Sequence, residues 1–124
     1  MAMNISKNNK YDWLETTIYY GNYTVGVIFL NTINEKEIKA FFRKYDFNQI
    51  INDAKSYILK QSELVSDLSD DELKDFNDIY PEGINIYIDS FEIYFNDCGV
   101  FGRHMLVATY SLTKNKFISY NIEG

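Results

Sequence analysis

The residues with the most distinctive chemistry fall in one turn, Asn96-Asp97-Cys98-Gly99-Val100-Phe101-Gly102-Arg103-His104, which holds the only cysteine, the only histidine and two of the six glycines of the chain. A thiol and an imidazole set on either side of such a turn are the elements of a nucleophile and base pair. A pocket bordered by Cys98, Arg103 and His104 is the form that an enzyme or ligand-binding site would take here. The sequence locates neither a third group to orient the base nor an oxyanion hole, and a lone cysteine is also a common small core residue. On paper Asp97, Cys98 and His104 could supply metal ligands, but no second cysteine or histidine exists and the spacing matches no zinc pattern. Gly99-Val100-Phe101-Gly102 lacks the Lys-Ser/Thr sequel and the following helix of a phosphate loop. No metal and no cofactor are therefore expected.

A second candidate is electrostatic. Between residues 62 and 82 stand Glu63, Asp67, Asp70, Asp71, Glu72, Asp75, Asp78 and Glu82, eight acids against Lys74 alone, a net of −7 in a chain whose total is −6. Their spacing lacks the alternation and central glycine of a calcium loop. Such a field repels phosphate backbones, which argues against nucleic acid, and draws in basic proteins. Tyr80 stands inside the run as an aromatic anchor, with Tyr87 and Tyr94 beyond it. The same acids also suit a solvated helix face.

These residues are positioned by a chain of 124 residues, enough for one core, and rich in rings: 11 Tyr, 9 Phe and 1 Trp. Such a composition is not that of a disordered chain. One cysteine forms no internal disulfide, the first residues lack a signal-peptide core, and no apolar run reaches the roughly 20 residues of a membrane helix, so a soluble cytoplasmic protein is expected. The oligomeric state is left open.

Residues 1–10 are polar and aperiodic and are expected to be flexible, with a single α+β domain over 11–124 and Trp13 as a lid on its core. Residues 15–20 and 23–30 read as strands of a hairpin turning at Gly21-Asn22, where positive φ is expected, and the second, apolar on both faces, reads as central. Asn34 caps a helix carrying Ile38, Phe41 and Phe42. Asp46 caps another carrying Phe47, Ile50, Ile51, Ala54, Tyr57 and Ile58. Ser69 and Glu72 form a capping box for a short helix that Pro81 is expected to end. The remainder reads as four strands: Ile84, Ile86 and Ile88 face inward on the first, and Phe91, Ile93 and Phe95 on the second, with a turn at Asp89-Ser90 where the parity switches. Residues 104–111 form the third, and residues 117–122 the last, with Ile118, Tyr120 and Ile122 on one face. The expected architecture is an antiparallel sheet of about six strands, the N-terminal hairpin plus four C-terminal strands, with two to three helices on one face. The first hairpin is expected to meet the last strands and close the sheet.

Through Phe101-Gly102-Arg103-His104, the strand, turn and strand that follow, and the closing Ile122-Glu123-Gly124, the chain resembles a set of small acidic bacterial domains of unknown function. Their final hairpin opens on Phe-Gly-x-His and closes on glycine; Lys114-Asn115 stands where their last turn has Asp-Gly. Some of these domains are thought to be immunity proteins against bacterial toxins. The resemblance implies a cognate toxin with a basic surface as partner and no catalytic residues, and leaves His104 a structural role, its ring nitrogens satisfying loop carbonyls.

Overall fold

Tyr20 and Tyr23 face each other across the turn at Gly21-Asn22, and Gly21 adopts φ +58°. Asn22 does not share the positive φ; a single left-handed glycine at the first turn position is enough to reverse the chain. This hairpin belongs to a computed structural model that describes residues 5–10, 13–30, 34–102 and 104–123. In chain order the elements are β1 (Ser6–Asn8), β2 (Trp13–Tyr20), β3 (Tyr23–Phe29), α1 (Glu35–Lys44), α2 (Phe47–Leu59), α3 (Ser62–Val65), α4 (Asp70–Asn77), β4 (Tyr80–Ile86), β5 (Ser90–Asn96), β6 (Met105–Ser111) and β7 (Lys116–Glu123).

The strands form one seven-stranded sheet in the order of the sequence. Every neighbouring pair is antiparallel except β3 and β4, which run parallel from Gly26–Gly83 to Phe29–Ile86. This corrects the expected all-antiparallel sheet. Among the described residues all four helices lie between β3 and β4, a connection long enough to return the chain to the end of the sheet where β3 began, as a parallel neighbour requires. Nor does the first hairpin meet the last strands: β1 and β7 are opposite edges of an open sheet. Ser6–Asn8, placed by sequence outside the domain, pair with β2 as a short edge strand, whereas residues 1–4, 11 and 12 lie outside the described residues.

Helix starts follow the sequence. Asn34 Oδ1 accepts from Glu37 N–H at 2.9 Å, Asp46 Oδ1 accepts from Asn48 and Gln49 N–H, and the Ser69–Glu72 capping box is complete in both directions. α4, however, ends at Asn77, and Pro81 lies within β4. Its missing N–H is tolerated because β3 pairs with β4 only from Gly83 onward, so Pro81 faces a ladder on the β5 side alone.

The helices cover one face of the sheet. Val25, Val27 and Phe29 of β3, Ile84 and Ile86 of β4, and Phe91, Ile93 and Phe95 of β5 pack with Ile38, Phe47, Ile51, Ala54 and Ile58 beneath them. Phe91 is at the centre, stacked on Tyr110 at 4.6 Å and meeting the rings of Phe41, Tyr45 and Phe47. Two sequence parities break at turns and bulges. Ile88 falls at the β4–β5 turn and is 83% exposed; the irregular register at Thr109–Tyr110 sets Phe117 opposite Tyr110 and displaces Ile118 outward. Trp13 stands on the opposite face, not over the core, with its indole N–H donating to Glu15 at 2.8 Å.

Phe91→Ala is expected to destabilise the fold by about 3–5 kcal/mol, read as the shift of the urea unfolding midpoint. Ile88→Ser should leave the midpoint unchanged within about 0.5 kcal/mol.

Candidate functional site

The Cys98 loop is built on one carboxylate. Asp97 is 1% exposed, and its Oδ1 accepts from Gly99 N–H at 2.8 Å while Oδ2 accepts from the N–H groups of Phe101 and His104, each at 3.0 Å. Three amides thus converge on a group that the sequence marked only as a possible metal ligand. Asn96 Oδ1 takes the Cys98 N–H at 2.9 Å, and this turn holds Cys98, Gly99 and Gly102 at positive φ. His104 Nδ1 lies within hydrogen-bonding distance of the Phe101 carbonyl, which requires the proton on Nδ1. One of the two His104 ring nitrogens thus meets a loop carbonyl. The Phe101 ring meets Phe76 edge-on at 5.6 Å and ties the loop to α4.

This arrangement leaves little for nucleophilic chemistry. The Cys98 thiol donates to the Asp78 carbonyl at 3.5 Å. Burial pushes its pKa up, and the charges of Asp78, Asp75 and Asp97 push it further, so the thiolate is disfavoured near neutral pH. Arg103 lies outside the described residues. Among the described residues no group of three or more His, Cys, Asp or Glu side chains is placed to hold a metal ion.

The acidic run is spread along an exposed ledge. Glu63 is on α3, Asp67 follows it, Asp70, Asp71, Glu72 and Asp75 are on α4, Asp78 caps α4, and Glu82 sits at the β4 irregularity. The end of this run draws together. Tyr80 stacks on Tyr23 at 4.7 Å with the planes 6° apart. The Tyr80 hydroxyl has a raised pKa, first through partial burial and then through Glu82 and Cys98, while Cys98 responds to Asp75 and Asp78. Asp75, Asp78, Tyr80 and Glu82 are thus one electrostatic neighbourhood beside the Cys98 loop. Glu63 belongs elsewhere, lining a cleft of about 540 Å³ with Tyr57, Leu64 and strand β7. A second cleft, of about 380 Å³, lies between Tyr45, Asp53, Tyr110 and Phe117. Neither touches Cys98 or His104.

A further cluster lies on the sheet face away from the helices. Glu92 Oε1 accepts from the hydroxyls of Tyr87 at 2.8 Å and Tyr94 at 3.1 Å, and Asn85 Nδ2 approaches Tyr94 Oη at 3.4 Å. Sequence reasoning singled out both tyrosines as anchors but missed Glu92. The available signal was parity: Asn85 and Tyr87 alternate with the inward isoleucines of β4, as Glu92 and Tyr94 do with the inward residues of β5. Burial, followed by the negative charge of Glu92 and the hydrogen bond to it, raises the Tyr94 pKa well above the usual phenol value.

The fold and its surfaces define an α+β domain with one sheet face covered by helices and the other carrying polar and aromatic side chains. No helix among the described residues is long and apolar enough to cross a membrane. No protein-family model matches the chain, and no curated protein or solved structure is similar to it at a significant level.

Asp97→Asn turns one carboxylate oxygen into an amide donor facing N–H groups, and is expected to cost about 1–3 kcal/mol of unfolding free energy. A raised phenol pKa favours the protonated folded state, so its stabilisation is complete below the unfolded pKa of about 10 and is lost as pH rises through the folded value. Denaturant midpoints measured across alkaline pH should therefore fall in the wild type and fall less in Tyr94→Phe.

Proposed function

We propose that the protein is a bacterial immunity or antitoxin protein that acts in the cytoplasm, binding and neutralising a cognate toxin domain through an acidic, tyrosine-bearing surface. The observation that carries this reading is the acidic run that ends at the Tyr23–Tyr80 stack, with Glu82 acting on Tyr80 and Asp75 and Asp78 acting on the neighbouring Cys98. A basic cleft evolved for an anionic substrate is matched by such a field, which also speeds encounter, and a preordered pair of rings gives the contact an anchor of low entropic cost. The resemblance carried by Phe101-Gly102-Arg103-His104 points the same way. The Cys98–His104 loop does not favour an enzymatic reading, because Asp97, His104 and the Cys98 thiol are engaged in holding the loop's own backbone.

Co-expression with the product of the adjacent gene tests the proposal. That product is expected to be lethal alone, tolerated with this protein, and co-purified with it. Combined Asp75→Lys and Asp78→Lys substitution should weaken the complex about tenfold or more while leaving the thermal midpoint close to wild type. A product that is harmless alone, or that stays lethal and unbound beside this protein, overturns the reading.

A further inference from the structure

The uncovered sheet face carries a feature that the fold itself does not require. Register aligns two rows across its strands: Glu15, Ile28, Asn85, Glu92 and Thr109 in one, and Thr17, Gly26, Gly83, Tyr94, Val107 and Asn121 in the next. Gly26 and Gly83 are direct neighbours in the middle of the sheet, so the floor there is bare of side chains over two strands, about 10 Å at normal strand spacing. Gly83 adjoins the register irregularity of β4, although a Cβ on it would make only an ordinary contact, 3.6 Å from the Gly26 carbonyl oxygen. Gly26 adjoins no such irregularity: its φ is not in the left-handed region, and a Cβ built on it meets nothing within 4 Å. Glycine inside a strand costs roughly 0.5–1 kcal/mol, and where packing does not call for it, it marks a place where another group approaches the backbone.

The walls of this bare floor say what approaches. On the β5 side stand the Tyr94 ring and Glu92, whose Oε1 is fixed by two phenol hydroxyls, while no described residue donates to its Oε2. Across the floor from Tyr94 is Thr17, and Glu15 ends the neighbouring row, beyond Ile28 and Asn85 from Glu92. Glu123 adds its charge to the same region, because it raises the pKa of both Tyr87 and Tyr94. The two rows contain no lysine or arginine. Val107, in the row of Tyr94, is 1% exposed yet stands outside the main core, so this face is a packed surface in its own right. A preoriented carboxylate beside an aromatic ring at the edge of a glycine floor suits a planar cation that lies flat, stacks on the ring and donates to the second carboxylate oxygen.

We propose that the Gly26–Gly83 floor, with Tyr94 and Glu92 as its wall, is the seat for an arginine side chain of a basic protein partner. The seat is distinct from the α4 ledge and stands whether or not that partner is a toxin. It is tested by titrating the isotope-labelled protein with an acetylated Gly-Arg-Gly-Arg-Gly peptide and following its amide resonances. Saturable shifts are expected at Gly26, Gly83, Glu92 and Tyr94. The Cβ of Gly26→Val meets no atom of the protein within 4 Å, and valine favours strands, so this variant should fold at least as stably as the wild type. Gly26→Val and Glu92→Gln should each weaken the peptide at least about fivefold. Shifts that are absent, or confined to residues 70–78, overturn the proposal, as does wild-type affinity in either folded variant.

Discussion

The parallel pairing of β3 with β4 is the constraint on which the rest of the molecule depends. Because the chain leaves β3, forms four helices and returns beside the same strand, every helix is delivered to one face of the sheet. That face becomes the core: Phe29, Phe91, Ile93 and Ala108 are at 0% exposure, Phe41 and Phe42 of α1 meet Phe29 edge to face, and Phe41 meets Phe91 in the same way. The other face is left to be finished by side chains alone. This is why Glu92, Tyr87 and Tyr94 form their own hydrogen-bonded layer and why Val107 is buried outside the main core.

The Asp97 loop shows how a cluster of rare residue types can be structural. A loop with three residues at positive φ leaves several amides without strand partners, and a buried carboxylate that accepts three of them resolves the shortage in one place. The histidine closes the loop from outside, and Cys98 occupies a left-handed position next to α4. Charges from Asp75 and Asp78 that make the thiol less acidic are part of the ledge we propose for recognition, so the electrostatics that suit one role oppose the other.

Charge is arranged differently on the two candidate surfaces. Along α3 and α4 the acids are exposed and numerous, a geometry that gives long-range attraction and little directional preference. On the uncovered sheet face the carboxylates are few, and Glu92 is held by fixed donors, which favours a single oriented contact. A partner steered by the first could be placed by the second.

Local chemistry made much of this protein legible from sequence. Asn34, Asp46 and Ser69 cap their helices because side-chain acceptors satisfy free amides a few residues away, and the Gly21 hairpin and the alternating isoleucines and phenylalanines of β4 and β5 are likewise short-range patterns. Direction and coverage were beyond its reach. Whether β4 runs parallel or antiparallel to β3, which strands end at the edges, and whether Ser6–Asn8 join the sheet depend on contacts between residues far apart in the chain, which no local periodicity encodes. The candidate site divides the same way. The acidic ledge was visible as a run of residue types; the Tyr87–Glu92–Tyr94 layer and the Gly26–Gly83 floor exist only because pairing sets neighbouring strands in register and leaves that face without helices.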